Sequence, residues 1–275
     1  LDAQTPLAAA FTPSYGVPLS GRPDRPGSGL YLHEDAGASL EGSSHFVLAA
    51  RPPRHLVCFA QRTGSEAAEL TWCVLRLDVQ VPGVTLTPLG RRIGLRAVRQ
   101  YLLECESIAV APETILYQGE SALDWLGRVV ACDWLGQTAI ALGVARRTLQ
   151  DSFEYTASRY QGGTLIEEHA AVQLLQGTAA YDIGVLEALL ERHATRGLLE
   201  QELVPLLRWA AQARLALVEH AYRAVTDCLQ TLGGYGYMED YGFEKRLRDA
   251  STLKSLHGAP DQITLFLNEL EGGGL

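Results

Sequence analysis

The spacing of apolar residues changes once along this chain, near residue 120, and that change requires a fold with a β part followed by a helical part. Before it, the apolar residues come in short runs rich in Val, Leu and aromatics: His45–Ala50, His55–Gln61, Leu70–Leu77 and Tyr101–Val110. Gly, Pro and polar residues separate these runs, a pattern that predicts the strands of an antiparallel sheet or barrel. Residues 14–29, SYGVPLSGRPDRPGSG, are rich in Gly, Pro and Ser and read as a loop. After the change, Leu123, Leu126, Val130, Trp134, Ala141, Leu142, Ala145 and Leu149 recur at three-, four- and seven-residue intervals, with one slip. They form one apolar face of a long helix from about Ser121. A second helix is expected over roughly Glu167–His193. A third is expected from Leu206 to Thr231, with Pro205 at its start, where a missing N–H costs little, and Gly233–Gly234 at its end. Two shorter helices, about Gly242–Ser255 and Asp261–Leu270, follow. The fold class is α+β: a barrel-like antiparallel β domain over 1–118 and an antiparallel four-helix-type bundle over 119–275.

Charge and composition exclude several functions. The net charge of −9 is wrong for a nucleic-acid protein, which needs a basic surface against phosphates. No apolar run approaches the ~20 residues that span a bilayer. The N-terminal stretch LDAQTPLAAAFTPSYG lacks the basic and apolar regions of a signal peptide. Met238 is the only methionine, so the chain is expected to be processed or part of a longer product. The five cysteines are widely spaced with no CxxC, as expected for buried free thiols in a reducing cytoplasm. No histidine pair has HxxxH or HExxH spacing, so no metal site is predicted.

The most informative string is Gln230–Ala250, QTLGGYGYMEDYGFEKRLRDA. Its glycines do not make a Rossmann loop, because a helix rather than a strand precedes them. As a whole the string resembles the C-terminal signature of the acyl-CoA dehydrogenase family, Q-x-x-G-G-x-G-[YF] followed by R-D-A. Gln230, Gly233, Gly234, Gly236, Tyr237, Arg248, Asp249 and Ala250 match it. Ser158–His169, SRYQGGTLIEEH, resembles the family's R-x-x-F-G-x-x-[IL] turn through Arg159, Gly163 and Ile166, with Gly162 where Phe is usual. Gly83–Glu120 resembles the closing strands of the family's β domain and its link into the bundle.

The resemblance implies α,β-dehydrogenation of an acyl-CoA thioester with FAD, in which a carboxylate removes the α-proton and flavin takes the β-hydride. It also implies that one subunit reaches the pyrophosphate and adenosine end of its neighbour's FAD. Arg159, Gln230, Gly233 and Gly234 match the residues that do so: the arginine suits paired phosphate oxygens, and glycine allows close backbone approach. Other positions depart from the family. His257 and Ala259 replace the Glu and Thr of the turn after R-D-A, and Leu48 replaces a flavin-contacting Thr. A flavin-side loop survives only as Thr12–Pro13 and Gly16. The family's N-terminal helical domain has no counterpart in this sequence, and a second polypeptide or a further segment would supply it. Some members carry the base on the first bundle helix, at the position of Asp133 here. Asp133 and His257 are therefore the candidate bases, each weighed against a structural role. The run Arg91, Arg92, Arg96 and Arg99 suits CoA phosphates, an acidic partner or plain solvation. Three readings follow: a subunit that completes a partner's FAD site, in a heteromer or with itself as dimer or tetramer; an active dehydrogenase using Asp133 on a CoA- or carrier-bound acyl group; and a flavin-free structural relative.

Overall fold

A computed structural model describes residues 7–10, 29–34, 37–63, 71–194 and 201–272. The chain divides into two compact units, Leu1–Arg92 with Arg96–Gly127, and Ile93–Leu95 with Arg128–Gly274. The architecture is α+β.

The first unit is built on one eight-stranded sheet. Its strands are β1 (Leu7–Ala10), β2 (Gly29–His33), β3 (Ser39–Ala49), β4 (His55–Thr63), β5 (Thr71–Asp78), β6 (Val84–Pro88), β7 (Arg99–Ala109) and β8 (Ile115–Gln118). They run in the order β6-β7-β3-β2-β4-β5-β8, with β1 on β4. Two features depart from the sequence reading. The order is an open path, with no pairing of β6 to β8 among the described residues, so the sheet is not a closed barrel. Nor is it purely antiparallel, because β2 and β1 both run parallel to β4. The cause lies in β3, which pairs with β2 on one side and with the 11-residue β7 on the other. β4 therefore joins at the free edge of β2, and two strands separated in sequence by one antiparallel strand point the same way.

Alternation along the strands buries one face, for instance Tyr101, Leu103 and Cys105 of β7. Cys58, Cys73 and Cys105 all lie in this core as free thiols. Burial pushes Cys73 up to about 11 and Cys105 up to about 12, which makes them inert packing groups. Leu48 sits half-buried in β3, paired with Gln100. Thr12, Pro13 and Gly16 lie outside the described residues.

The second unit takes its helices from α1 (Glu120–Thr156), α2 (Ala170–Ala194), α3 (Leu203–Ala216), α4 (Tyr222–Thr231), α5 (Phe243–Ser255) and α6 (Pro260–Glu271). A π-helical turn, Leu217–Ala221, joins α3 to α4, so the third predicted helix is one long rod with a local bulge. Beside the bulge, wholly buried Asp182 of α2 accepts hydrogen bonds from His220 Nδ1 at 2.8 Å and Arg223 Nε at 2.7 Å. Burial alone would raise its carboxyl, but the Arg223 and His220 hydrogen bonds outweigh that and hold it below the usual range. The apolar core joins Ala141, Leu142 and Ala145 of α1 to Leu186 of α2, Val225 and Leu229 of α4, and Phe243 and Leu253 of α5.

The R-D-A string has a structural use. Asp249 of α5 accepts the backbone N–H of Leu95 at 2.6 Å, and a Cβ on Gly94 would lie 2.2 Å from the Arg248 carbonyl oxygen. This glycine is therefore required by close packing of residues 93–95 on α5. No helix among the described residues is long and apolar enough to cross a membrane. Of the basic run, Arg91, Arg96 and Arg99 are exposed, while Arg92 donates to the Val98 carbonyl at 2.7 Å.

Candidate functional site

The residues singled out in the helical unit fall at two places. The first is a cavity of about 680 Å³ whose lining includes Arg159, Gln230, Gly233 and Gly234. Two helix ends meet there. α1 stops at Thr156, and the chain turns through a small hairpin, β9 (Tyr160–Gln161) and β10 (Thr164–Leu165). Gly162 and Gly163, at φ 71° and 92°, make the hairpin turn that a residue with a Cβ would strain. α4 ends at Thr231, and Gly233 turns the chain at φ 57°.

A buried polar chain fixes these two ends together. Thr231 Oγ1 donates to the Cys228 carbonyl at 2.7 Å and pairs with Ser152 Oγ at 2.8 Å. Gln176 of α2 then donates to Ser152 Oγ at 3.1 Å and to Thr156 Oγ1 at 3.0 Å. Since Thr231 spends its proton on Cys228, Ser152 must donate to Thr231 and accept from Gln176. Every hydroxyl in the chain then has a defined role, which is what stabilises a buried polar network.

The side chains of the cavity suit an anionic, partly aromatic ligand. The Arg159 guanidinium lies 5.3 Å from the centroid of the Tyr235 ring. Its Nε is buried without a hydrogen-bond partner among the described residues, an uncommon state for a charged donor unless another group completes it. The three glycines of the motif differ in cause. Gly233 is demanded by its positive φ, and Gly236 by space, since a Cβ there would lie 2.5 Å from the Leu229 carbonyl oxygen. Gly234 is demanded by neither, because an added Cβ meets nothing within 4 Å. A glycine the chain does not need for itself is a position where a ligand can approach the backbone.

The sequence reading did not single out Tyr155, Tyr235, Met238 and His169, which also line the cavity. One signal was available: Tyr155 precedes Arg159 by one helical turn. His169 Nε2 donates to the Gln161 carbonyl at 3.0 Å, and its ring lies 3.2 Å from where a Gly162 Cβ would stand. The absence of a side chain at 162 is thus what leaves room for the imidazole.

The second place is the turn between α5 and α6. It brings the two candidate bases together, although 124 residues separate them. His257 Nδ1 lies 2.8 Å from Asp133 Oδ2, which also accepts from Gln137 Nε2 at 2.6 Å. His257 has φ 48°, a left-handed conformation that side-chain-bearing residues rarely adopt, and Gly258 follows at φ 127°. The surrounding bonds hold that strain. The Trp134 indole donates to the His257 carbonyl at 2.9 Å. Arg214 of α3, wholly buried, donates to the carbonyls of Lys254 at 3.0 Å and Leu256 at 2.8 Å. Burial lowers the Arg214 guanidinium to about 10 while Asp133 acts to raise it, so it stays charged at neutral pH. Arg214 and Gln137 had not been singled out; neither belongs to a motif, and only the folded chain shows what they hold.

No group of three or more His, Cys, Asp or Glu residues among those described could hold a metal. Residues 135–265 match the family described as acyl-CoA dehydrogenase, C-terminal domain. The chain is 27% identical over 222 residues to the probable acyl-CoA dehydrogenase YngJ of Bacillus subtilis, covering 81% of this chain and 58% of that protein. It is 25% identical over 245 residues to the short-chain specific acyl-CoA dehydrogenase of Megasphaera elsdenii, covering 88% of this chain and 61% of that one. It thus spans about three fifths of the length of these curated relatives. Among solved structures, a prolyl acyl carrier protein oxidase, AnaB, superposes with a TM-score of 0.83 at 21% identity over 97% of this chain and 68% of that one. A butyryl-CoA dehydrogenase from Megasphaera elsdenii gives 0.80 at 20% identity, over 95% of this chain and 67% of that one.

Proposed function

We propose that this chain, which belongs to the acyl-CoA dehydrogenase family, holds the pyrophosphate and adenosine end of FAD in the cavity around Arg159. It would do so as a subunit that completes the flavin site of a neighbour, either a second acyl-CoA dehydrogenase-like chain or another copy of itself. Bound FAD supplies the hydride acceptor for α,β-dehydrogenation of an acyl-CoA thioester. The residues present fit the group. Arg159 supplies a planar cation for phosphate oxygens. Gln230 stands exposed at the same rim, and Gly233 and Gly234 leave backbone open at the end of α4. The observation that carries the reading is the convergence of all four residues on one cavity, with Arg159 Nε buried and unpartnered.

The experiment is flavin retention. The full protein, purified with the chain encoded beside it, is expected to carry bound FAD. Arg159→Ala removes charged hydrogen bonds of about 1.5–3 kcal/mol in total, so affinity should fall about 10- to 100-fold. A colourless complex, or an Arg159→Ala variant that keeps FAD as tightly as wild type, would refute the reading.

The finer assignment is a subunit without the family's usual catalytic Glu, since His257 stands at that place. A second reading, an active dehydrogenase with Asp133 as its base, draws support from the partial exposure of that carboxylate, 30%, and its contact with His257. Anaerobic mixing with acyl-CoA should then bleach the flavin, and Asp133→Asn should abolish the bleaching. A flavin-free scaffold is the remaining alternative, and a stoichiometric yellow chromophore excludes it.

A further inference from the structure

The lining of the Arg159 cavity holds a second group suited to an anion. His169 Nε2 lies 3.0 Å from the Gln161 carbonyl oxygen, which only accepts, so the proton of the neutral ring stands on Nε2. The other nitrogen, Nδ1, has no hydrogen-bond partner among the described residues. It is the atom that takes up a proton when the ring becomes charged, and it then becomes a second N–H donor. The ring's place depends on Gly162: a Cβ there would stand 3.2 Å from both Cε1 and Nε2 of His169. The glycine thus gives its side-chain space to an imidazole that lines the cavity.

Among the described residues of that lining, Arg159 carries the one permanent charge, and none is Asp or Glu. The charged and titratable groups on the elements that meet at His169 are these. The end of α1 brings Arg159 and the Tyr155 phenol, which burial pushes above its ordinary value, so it stays neutral. β9 brings the Tyr160 phenol, which donates to the Gly163 carbonyl. The turn Ile166–Glu168 brings Glu167 and Glu168, and the Glu168 carboxylate accepts from Thr164 Oγ1 on β10. The first turn of α2, Ala170–Gln173, is uncharged. After α4 comes Tyr235 in the lining, with Glu239 and Asp240 beyond it and outside the lining.

We propose that His169 is a second binding residue of this cavity, engaging a diphosphate diester as an imidazolium beside Arg159, so that the ligand is held more tightly as pH falls. The ligand class rests on the flavin reading above; the place of the imidazole in the lining does not. Binding and protonation are linked. Bound phosphate oxygens favour the charged ring, and the charged ring offers Nδ1–H as a charge-assisted donor, its proton drawn from solvent. Histidine ordinarily titrates between about pH 5 and 8, whereas a guanidinium and the phosphates of a diester keep their charges throughout that range. The imidazole is therefore the group in the lining whose charge changes there.

The test uses the full protein, purified with the chain encoded beside it and freed of flavin by dialysis, with FAD and ADP-ribose as probes. Both are diphosphate diesters of adenosine, and only FAD carries a flavin. Titration calorimetry should show binding at least about fivefold tighter at about pH 6 than at about pH 8.5. Near neutral pH, binding should take up a fraction of a proton, read from how the heat varies with the ionisation enthalpy of the buffer. His169→Gln keeps an amide donor for the Gln161 carbonyl and has no titrating nitrogen, so the pH dependence and the proton uptake should both vanish. A residue that only held the hairpin would move neither. Wild-type affinity that is flat across this range, or pH dependence that persists in His169→Gln, overturns the proposal. Should His169→Gln not fold, proton uptake by wild type decides, and its absence overturns it. The two readings fail separately. ADP-ribose bound more tightly in acid, with no binding of FAD, supports this proposal and removes the earlier one. FAD bound equally well at both ends of the range does the reverse, and binding of neither probe removes both.

Discussion

The cavity around Arg159 and the turn that carries His257 share the helical unit and differ in how they are held. The cavity is framed by helix ends and glycines, and its buried support is a chain of neutral hydroxyls and one amide. Its key cation has a buried donor atom without a partner among the described residues. The turn is the opposite: a strained backbone saturated from behind by an indole and a buried guanidinium, with its imidazole already bound to a carboxylate. The first region has a charged donor to offer a ligand, whereas the second uses its polar groups on its own backbone.

The largest expected effect tests the rigidity of the turn. Arg214→Ala leaves two part-buried carbonyls without their donor and a void where the wholly buried side chain lay, which should cost about 3–5 kcal/mol. Urea denaturation measures it. A loss under about 1 kcal/mol would show that the turn holds without Arg214, and the contrast between the regions would collapse.

On the cavity side, Gln176→Ala removes the one side chain that donates to both Ser152 and Thr156, at a cost of about 1–3 kcal/mol. The same denaturation series reads it, and FAD affinity should fall with it, because Arg159 and Gly233 lose their common support.

A third prediction concerns a second His–Asp pair. Asp182 meets His220 at 2.8 Å, as Asp133 meets His257, but His220 lies in the π-helical turn, outside the positive-φ residues, and Asp182 is also bound by Arg223. Its carboxyl is held below the usual range, so its stabilisation is present above the unfolded value of about 3.9 and is lost as pH falls through the native value. Asp182→Asn should lower stability by about 1–2 kcal/mol at neutral pH and flatten the stability curve below about pH 4. A variant whose stability still falls with acid as steeply as wild type does would show that this carboxylate is not the group responsible.

The smallest effect separates two adjacent glycines. Gly233→Ala should destabilise by about 1 kcal/mol because of its positive φ, while Gly234→Ala should stay within about 0.5 kcal/mol and still weaken FAD binding. Equal stability losses would show that Gly234 serves the fold after all.

Much of this was legible in the chain. The helical periodicity located α1 to α6 to within a few residues, because each helix buries a stripe whose spacing is local. It followed the α1 face through Leu149 and then lost it, since the buried positions beside and beyond that residue are Thr148, Ser152 and Thr156, polar residues that an apolar pattern does not register. Strands β4, β5 and β7 were visible as apolar runs, whereas β2, β6 and β8, with 5, 5 and 4 residues, are too short to show a period. The Arg159 cavity was foreseeable because its residues belong to motifs, and motifs are strings.

What the sequence by itself determined, then, is whatever depends on neighbours along the chain: the change from β to helical period, the glycine turns, the acyl-CoA dehydrogenase signature, and the presence of a histidine after R-D-A. Pairing across long separations was left to the tertiary structure. The parallel placement of β4 on β2 follows from which edge was free. The Asp133–His257 bond follows from helix packing that closes a 124-residue gap, and the value of Arg214 follows from carbonyls on another element. The physical reason is that a hydrogen bond depends on distances of about 3 Å in space, and no local property of a sequence fixes those distances between segments more than a hundred residues apart.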